Sequence, residues 1–225
     1  MAKNRAARDV RRRIFLVDDH PLTRHGMAQL IEQQSDLVIC GQAGDAEHAL
    51  DGVRLLQPEL VVVDVTLPGK PGIELIKDIA VLNPGVAVLV VSMHDESLYA
   101  ERALRAGARG YLMKSAGGEE LIHAIRQVLS GKVYVSPALS AKILDSLSGN
   151  HPRQPSVISS LSDREFEVFQ LVGEGLTTRE IGARLKISGK TVETHRLRIR
   201  EKLGLKTAPE LTKYAVRWAG AQELL

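Results

Sequence analysis

The chain has 225 residues, enough for one large or two modest domains, and its 44% hydrophobic and 25% charged residues are ordinary for a globular protein. Its one cysteine, Cys40, excludes an internal disulfide and a cysteine-based zinc site. No apolar run is long enough to span a bilayer and no signal-peptide pattern follows the basic start, so we expect a cytoplasmic protein without membrane contact.

Charge is distributed unevenly along the chain. Residues 1–13 carry six basic side chains against one acidic side chain, and we predict a disordered basic arm there, with phosphate contact as the alternative. Residues 14–135 carry 10 basic and 16 acidic side chains, whereas residues 136–225 carry 14 and 10. An acidic part followed by a basic part indicates two domains, the second acting on nucleic acid, although two soluble surfaces can also differ in charge by chance.

Five apolar segments of strand length alternate with five amphipathic segments between residues 14 and 130. The strands are predicted at Ile14–Val17, Leu37–Ala43, Leu60–Val63, Ala87–Val91 and Gly110–Met113. The helices are predicted at about Leu22–Gln33, Ala46–Leu56, Ile73–Leu82, Leu98–Ala106 and Glu119–Ser130. This alternation is typical of βαβ units, so we predict a doubly wound α/β domain over residues 14–135, with a five-stranded parallel sheet between helices.

The third predicted strand, Leu60–Val63, ends on Asp64 and then on a loop that contains two prolines. A carboxylate at the end of a buried strand costs too much desolvation to serve only as packing. In open α/β sheets the ligand crevice lies at this end of the strands. We therefore expect a functional site around Asp64.

Four of the five predicted strands end on polar side chains: Asp18 and Asp19, Asp64, Ser92, and Lys114. Each of them alone is also compatible with a helix cap or a turn. Together they would place three carboxylates at one edge of the sheet, where mutual repulsion calls for a hard cation such as Mg²⁺. With Lys114 and Ser92 nearby, the pattern predicts a phosphoryl-transfer site with a carboxylate nucleophile.

Residues 14 to about 130 resemble the receiver domain of two-component response regulators, through Asp18-Asp19, the segment Asp64–Pro68 with Gly72, Ser92, and Gly110–Lys114. The resemblance implies a flavodoxin-like sheet with strand order 2-1-3-4-5. It also implies that Asp64 accepts the phosphoryl group from the phosphohistidine of a sensor histidine kinase. Asp19, Asp64 and the Thr66 backbone carbonyl would bind Mg²⁺, with Asp18 close by or acting through water.

The same resemblance assigns the remaining polar residues of the site. Ser92 and Lys114 would hold phosphoryl oxygens, and Ser92 and Tyr111 would act as the switch, the ring turning inward as the hydroxyl moves toward the phosphoryl group. Simple packing of Tyr111 at the sheet edge is the alternative. Ser115 stands where many receivers have a proline, so no cis peptide bond is expected after Lys114.

The second half of the chain has a linker and a helical domain. Residues 136–158 are predicted to form a linker with a short helix at Leu139–Leu147 and a polar segment with two prolines. In residues 159–225, Ser162 and Glu165 form a capping-box pattern, a short helix starts at about Thr178, and Ser188 caps a third helix that ends at Gly204. Two short helices joined by about four residues, the second strongly basic, predict a helix-turn-helix.

The third helix of this domain has two distinct faces. Val192, Ile199 and Leu203 lie on its apolar side, and the opposite side presents Lys190, Glu193, Thr194, Leu197 and Arg198. Residues 179–206 contain nine basic and three acidic side chains, and a merely solvated basic helix is the alternative. Helix N-termini receive phosphates, so Thr178 and Thr191 are expected to contact phosphates through their backbones.

Residues 161–211 resemble the LuxR-type helix-turn-helix, through Thr178–Ile181, Ile187-Ser188 and Thr191–His195. With the receiver ahead of it, the whole chain resembles the NarL/FixJ family of response regulators. The resemblance implies a motif from Thr178 to Leu197 that binds double-stranded DNA, contacts from the polar face of the third helix, and a homodimer formed on phosphorylation or on DNA through Ala208–Trp218. Glu193 can accept from a cytosine amino group, and Leu197 can touch a thymine methyl group.

We therefore expect a transcription factor that is controlled by phosphorylation. One alternative is an Mg²⁺-dependent aspartyl-phosphate phosphohydrolase, which resembles haloacid-dehalogenase phosphatases but would place its nucleophile after the first strand as Asp-x-Asp, where this chain has Asp18-Asp19-His20. The other alternative is a transcription factor that works without phosphorylation.

Overall fold

The computed structural model describes residues 11–141 and 157–222. The chain divides between Leu139 and Ser140 into two compact units. Most of the predicted basic arm and most of the predicted linker, including the polar segment with two prolines, lie outside the described residues. Within the described ranges, no helix combines the length and the apolar character that a membrane span requires.

The first unit is a five-stranded parallel sheet in the order β2-β1-β3-β4-β5, as predicted. Its strands are β1 (Arg12–Val17), β2 (Leu37–Ala43), β3 (Leu60–Val63), β4 (Ala87–Ser92) and β5 (Gly110–Met113). Its helices are α1 (Pro21–Glu32), α2 (Ala46–Leu56), α3 (Gly72–Leu82), α4 (Glu96–Ala106) and α5 (Gly118–Leu129).

Every residue of β3 is buried, which is why this strand reads as an unbroken apolar run. Leu60 and Val62 belong to one core cluster with the apolar faces of α1 and α5. Val61 and Val63 point to the other face of the sheet, because successive side chains alternate along a strand, and they are equally buried. The sheet is therefore covered on both faces.

The register of the parallel strands brings their carboxyl ends together. Val17 at the end of β1 pairs with Val63 at the end of β3, and Val63 pairs with Val90 of β4. Ser92, the last residue of β4, pairs with Met113, the last residue of β5. The polar residues that follow these strands consequently lie along one edge of the sheet.

Strand β1 begins two residues earlier than predicted and takes Arg12 and Arg13 from the predicted arm at residues 1–13, so the arm is at least two residues shorter. The Arg12 N–H donates to Asp36 O at 2.8 Å, and Arg13 O accepts from the Glu59 N–H at 2.9 Å. The Arg12 guanidinium also pairs with the Glu59 carboxylate at 2.6 Å. Charged residues extend the strand because its backbone hydrogen bonds do not depend on an apolar side chain.

Helix α4 also begins two residues earlier than predicted, at Glu96. Asp95 is its N-cap, and its side chain accepts from the Ser97 N–H at 2.8 Å. An aspartate in this position supplies an acceptor to the first turn of a helix. The cap therefore overrides the apolar periodicity, which begins only at Leu98.

The segment after α5 packs along the outer edge of β5. The Tyr111 N–H donates to Tyr134 O at 2.9 Å, and the Tyr134 N–H donates to Arg109 O at 3.0 Å. Residues 137–141 are helical, and the remainder of the helix predicted at Leu139–Leu147 lies outside the described residues. The domain boundaries and the linker stay predictions.

The second unit contains four helices in its described part. They are α6 (Asp163–Gly173), α7 (Thr178–Leu185), α8 (Gly189–Leu203) and α9 (Ala208–Gln222), after a 3₁₀ turn at Val157–Ser160. The predicted capping box of α6 is present, and α7 has a second one at Thr177 and Glu180. Ser188 caps α8, whose C-cap Gly204 has a φ of 67°. The N-caps explain why α6, α7 and α8 begin where the sequence predicted, and α8 ends at the predicted Gly204.

An aromatic cluster joins α6 to α9. The rings of Phe166 and Phe169 lie 5.8 and 5.2 Å from the ring of Trp218, measured between centroids. Leu211 and Ala215 of α9 are fully buried. Aromatic pairs at such distances stabilise packing beyond the burial of their surface, so α9 is an integral part of this unit. The helix extends four residues beyond the predicted Trp218.

Candidate functional site

Asp64 follows β3 directly and is buried, with 4% of its surface exposed. Its N–H donates to Val17 O at 2.8 Å, which joins the end of β3 to the end of β1. Its Oδ1 accepts from the Thr66 N–H at 3.1 Å, a contact that turns the chain immediately after the carboxylate. Strand and loop together fix this carboxylate at the edge of the sheet where ligands of open α/β sheets bind.

Gly72 allows the loop after β3 to fold back against Asp64. A Cβ at this position would lie 2.2 Å from Asp64 O and 2.6 Å from Val65 Cα, which are both backbone atoms. The Gly72 N–H donates to Val65 O at 2.8 Å and holds this close approach. Only glycine fits here, so the backbone of α3 begins in direct contact with the residue that carries the carboxylate.

Lys114 joins two of the three carboxylates. Its Nζ lies 2.6 Å from Asp64 Oδ2 and 2.7 Å from Asp18 Oδ2, and 9% of its side chain is exposed. Asp18 is fully buried, and its Oδ1 accepts from the His20 N–H at 2.7 Å. Asp19 is partly exposed and contacts the His20 ring at 2.8 Å. The structure therefore brings together the predicted acids and the predicted lysine.

Burial governs the ionisation of this cluster. It raises the pKa of Asp64, because the desolvation of the carboxylate outweighs the attraction of Lys114 and the hydrogen bond from Thr66. Burial by itself would lower the pKa of Lys114, but attraction to Asp64 and hydrogen bonds to Asp18 and Asp64 outweigh it and raise that pKa. The ammonium therefore stays charged at neutral pH, while negative charge on Asp64 remains costly.

The chemistry of the donor set fits a divalent cation. Ligand atoms of Asp18, Asp19, His20 and Asp64 all lie within 4.8 Å of one another. Asp18 and Asp64 share the ammonium of Lys114, and Asp19 adds a third carboxylate, so these four side chains carry an excess of two negative charges when all three acids are ionised. Mg²⁺ prefers carboxylate oxygens and water and would offset that excess. The residues present are therefore compatible with the predicted Mg²⁺ site.

Ser92 and Tyr111 lie on neighbouring strands, and both contact His94. Ser92 is fully buried, and its Oγ accepts from the His94 N–H at 3.2 Å. Tyr111 is also fully buried, and its hydroxyl donates to His94 O at 2.8 Å. Burial raises the pKa of Tyr111, so its hydroxyl remains a proton donor. A buried Tyr111 ring is compatible both with the predicted switch and with simple packing at the sheet edge, so the switch stays a prediction.

Two histidines of this site were not predicted from the sequence. His20 contacts the aspartates, and His94 Nε2 lies 2.8 Å from Thr66 Oγ1. Both follow strand ends that the sequence had already marked, which is the signal that was available. Thr66 contacts its neighbours through its N–H and its hydroxyl, and the use of its carbonyl as a metal ligand stays a prediction.

In the second unit, α7 and α8 form the predicted helix-turn-helix. Lys186 in the turn has a φ of 53°, and the Ile187 N–H donates to Gly182 O at 2.9 Å. A Cβ on Gly182 would lie 2.9 Å from Ile187 O, so the turn packs directly on α7. Val192 and Ile199 are fully buried, as the predicted apolar face requires. The relative position of the two helices is therefore tightly fixed.

The other face of α8 is exposed. Six of the seven residues predicted to contact DNA are exposed, namely Lys190, Thr191, Glu193, Thr194, Leu197 and Arg198. Thr178, at the start of α7, is half-buried. Leu197 exposes 46% of its surface although it is apolar, which is compatible with contact to a base methyl group. The exposure leaves these residues available for DNA, and the contacts themselves stay predictions.

A contact between the two helices involves Glu193. The Thr178 hydroxyl donates to Glu193 Oε1 at 2.6 Å, and Arg196 Nη1 donates to Thr178 Oγ1 at 2.9 Å. Arg196 Nη1 also lies 3.7 Å from Glu193 Oε1. The sequence pattern assigned no contact to Arg196. Its role in this contact was not predicted, because the contact depends on how α7 and α8 pack.

Comparison with known families agrees with both units. Residues 14–126 match the family described as "Response regulator receiver domain". Residues 159–215 match the family described as "Bacterial regulatory proteins, luxR family". The first match contains the sheet except for Arg12 and Arg13 of β1, and the second contains α6, α7 and α8, so each match lies within one structural unit.

Two relatives match along 91% of the chain, and a crystal structure matches along 61% of it. Response regulator GacA of Pseudomonas aeruginosa is 36% identical over 206 residues, which cover 91% of this chain and 95% of that protein. The oxygen regulatory protein NreC of Staphylococcus carnosus is 32% identical over 210 residues, covering 91% and 97%. A LuxR-family two-component response regulator from Aurantimonas sp. SI85-9A1 is 38% identical in sequence, and its crystal structure gives a TM-score of 0.58 over 61% of this chain and 99% of that one.

These matches support the two-component regulator that the sequence led us to expect and give no support to the phosphohydrolase alternative. The chain therefore belongs to the NarL/FixJ family of DNA-binding response regulators, in which a receiver domain precedes a LuxR-type helix-turn-helix domain.

Proposed function

We propose that this response regulator accepts a phosphoryl group on Asp64 from a sensor histidine kinase, and that phosphorylation controls its binding to duplex DNA. The observation that carries the proposal is the position of Lys114 Nζ, 2.6 Å from Asp64 and 2.7 Å from Asp18 in a buried cluster. Burying an ammonium with two carboxylates costs desolvation energy, which indicates that the cluster is kept for function rather than for stability. Here it would stand beside the oxygens of an incoming phosphoryl group.

In the proposed reaction an Asp64 oxygen attacks phosphorus as the P–N bond of phosphohistidine breaks, and the histidine nitrogen takes the electron pair of that bond. Lys114 donates hydrogen bonds to the transferred group, and Ser92 Oγ turns from the His94 N–H to the same group. Mg²⁺ held by Asp19, Asp64 and the Thr66 carbonyl, with Asp18 nearby, supplies charge neutralisation when bound. Later attack by water on phosphorus releases phosphate and restores the carboxylate.

The proposed consequence of phosphorylation is a change around His94. Because Ser92 Oγ now accepts from the His94 N–H, turning it toward the phosphoryl group breaks that contact. His94 O accepts from Tyr111, so the loop and the ring are coupled. Two arrangements of this loop would give the receiver a two-state element that phosphorylation biases.

The output of the proposed function is DNA binding by α7 and α8. The exposed basic face of α8 supports it, and phosphate contacts would supply much of the affinity. We further propose a homodimer on phosphorylation or on DNA, with contacts from α9, and a cytoplasmic site of action beside the DNA. An RcsB response regulator of Salmonella typhimurium, 25% identical, has been crystallised in a study of its interaction with DNA, which is in line with this output.

The test uses the full chain and a small-molecule phosphodonor with Mg²⁺. Asp64→Asn should take up no label, because an amide oxygen is a poor nucleophile and cannot form the acyl phosphate that the carboxylate forms. Asp51→Asn, at an exposed position on α2, is the matched control and should be labelled like the wild type. Uptake of label by the Asp64→Asn variant would overturn the assignment of the acceptor.

The same two variants separate the phosphorylation-dependent regulator from the phosphorylation-independent alternative. If phosphorylation controls DNA binding, the phosphodonor should change the affinity of the wild type and of Asp51→Asn for duplex DNA and leave that of Asp64→Asn unchanged. Equal affinity of the wild type with and without phosphodonor, under conditions of complete labelling, would favour the alternative.

A further inference from the structure

Thr178 joins the two helices of the DNA-binding motif through its hydroxyl group. The hydroxyl donates to Glu193 Oε1 at 2.6 Å and accepts from Arg196 Nη1 at 2.9 Å, so both of its hydrogen-bonding roles are used. Thr178 lies on α7, whereas Glu193 and Arg196 lie on α8. We call this arrangement the Thr178 contact.

The Thr178 contact holds one oxygen of an exposed side chain. Glu193 has 59% of its side chain exposed, whereas Arg196 has only 16% exposed. Among the residues that the structure describes, no donor is bound to the second oxygen, Oε2, of Glu193. The contact therefore holds one oxygen of the carboxylate and leaves Oε2 as the acceptor that has no donor in the described part of the chain.

A carboxylate on this face disfavours DNA binding, because the phosphates repel it, unless it has a favourable partner on the DNA. The repulsion is offset in part by Arg196, which lies 3.7 Å from Glu193 Oε1. The remaining favourable partner in the major groove is a base donor, and a glutamate is suited to the amino group of cytosine. A glutamate that swings freely would lose side-chain entropy on forming that contact, whereas one that is already held loses less.

We propose that Thr178 is a positioning residue that sets base specificity: its hydroxyl, supported by Arg196, holds Glu193 so that Oε2 accepts from the amino group of a cytosine. This inference rests on the proposed function, since it requires α8 to meet base edges. By this inference, selectivity at one base pair depends on Thr178 of the preceding helix, which contacts no base itself.

The experiment begins with a selection from random duplex DNA by the full wild-type chain, treated with phosphodonor and Mg²⁺. Binding is then measured to the selected duplex and to duplexes with each other base pair at every selected position. Glu193→Gln should reduce the preference for one C·G pair by about tenfold, in the range of a single well-placed base contact. Thr178→Val, which removes the hydroxyl and keeps the shape, should reduce the preference at the same pair about threefold or more.

Rescue and non-specific binding distinguish positioning from a structural role. Thr178→Ser keeps the hydroxyl and should restore the wild-type preference. Thr178→Val and Thr178→Ser should leave the relative affinities for duplexes changed at the other selected positions as in the wild type, and they should leave the melting temperature of the second unit within the full chain unchanged. Loss of selectivity with these values unchanged supports the inference.

The outcomes that overturn the inference differ from those that overturn the proposed function. If Thr178→Val keeps the wild-type preference at every position, or weakens binding to all duplexes equally, Thr178 does not set specificity. If the position sensitive to Glu193→Gln is not a C·G pair, the assignment of cytosine is wrong. A wild-type chain that selects no sequence at all would overturn the proposed readout of DNA by α8 and this inference with it.

Discussion

Lys114 Nζ lies 2.6 Å from Asp64 Oδ2, and the two side chains expose only 9% and 4% of their surfaces. The same ammonium lies 2.7 Å from Asp18, so one cation serves two buried carboxylates while Asp19 adds a third nearby. Because the attraction of one ammonium does not offset the burial of this much negative charge, Asp64 has a raised pKa. The site thus has a built-in energetic cost that a bound cation would relieve.

The first prediction follows from the raised pKa of Asp64, whose value in the unfolded chain is near 3.8. The folded chain binds a proton on Asp64 more tightly than the unfolded chain does. Protonation of Asp64 therefore stabilises the folded state, fully below pH 3.8, and this stabilisation is lost as the pH rises through the raised pKa. At pH 7 without divalent cations, ionised Asp64 therefore reduces stability. Asp64→Asn should raise the free energy of unfolding by about 1 kcal/mol in EDTA, measured by denaturant titration.

Mg²⁺ provides the complementary measurement. It should raise the melting temperature of the wild type, because a ligand that binds only the folded state stabilises that state, and should raise that of Asp64→Asn much less. Asp51→Asn, at an exposed position on α2, should behave like the wild type with and without the ion. An Asp64→Asn chain that is less stable than the wild type in EDTA would contradict the charge argument.

The strand ends of this site were predictable because they follow from periodicity and from the geometry of parallel sheets. Asp18, Asp64 and Lys114 each directly follow a strand, so the parallel pairing of the strands brings them to one edge without a particular loop conformation. His94 was missed, because its contacts to Ser92 and Tyr111 depend on the path of a loop. Loop paths depend on backbone torsions that residue type determines only weakly.

The same distinction applies to the second unit. The faces of α8 followed from helical periodicity, and the burial of Val192 and Ile199 confirms them. The Thr178 contact to Glu193 was not predicted, since it spans 15 residues and depends on how closely α7 and α8 pack. That packing depends on Gly182, whose missing Cβ lets the turn approach. A sequence pattern marks each helix separately but not the atoms that meet between them.

The second prediction concerns Gly72, where the sequence indicated a loop but not the close contact. A Cβ here would lie 2.2 Å from Asp64 O, so Gly72→Ala must displace the backbone beside the acceptor. We expect a loss of about 2–3 kcal/mol in the free energy of unfolding, together with slower labelling by phosphodonor. Gly26→Ala in α1, where no atom lies within 4 Å of the added Cβ, is the matched control and should be neutral or stabilising. Equal stability of the two variants would contradict the packing argument.

The third prediction concerns Glu165 and Lys202, which pair at 2.6 Å between α6 and α8. Burial acts to raise the pKa of Glu165, but the hydrogen bonds from Lys202 and Ser162 outweigh it and lower the pKa below 4.5. A lowered pKa stabilises the folded state above pH 4.5, and this stabilisation is lost as the pH falls through the folded-state value. Lys202→Met should therefore cost about 1–2 kcal/mol at pH 7, since it leaves a buried carboxylate without its cation.

The pH dependence distinguishes this ion pair from a surface pair. The difference between Lys202→Met and the wild type should shrink as the pH is lowered below 4.5, in thermal or denaturant unfolding of the full chain. Arg184→Met removes an ion pair with Glu174 in which both side chains are about half exposed, and it should cost less than about 0.5 kcal/mol at either pH. A cost of Lys202→Met that is independent of pH would show that the lysine acts through packing alone.

The fourth prediction separates the two kinds of DNA contact expected from α8. Arg198 is exposed and has a delocalised positive charge, so its proposed partner is a phosphate, whereas the proposed partner of Glu193 is a base. Arg198→Gln should weaken binding to all duplexes by a similar factor and reduce the slope of log affinity against log salt by about one per bound copy. Arg54→Gln, on α2 of the first unit, should leave the slope unchanged. The test is to measure affinities from about 50 to 200 mM salt. If Arg198→Gln changes the base preference and leaves the slope unchanged, Arg198 contacts a base and its neighbours on the helix make the phosphate contacts.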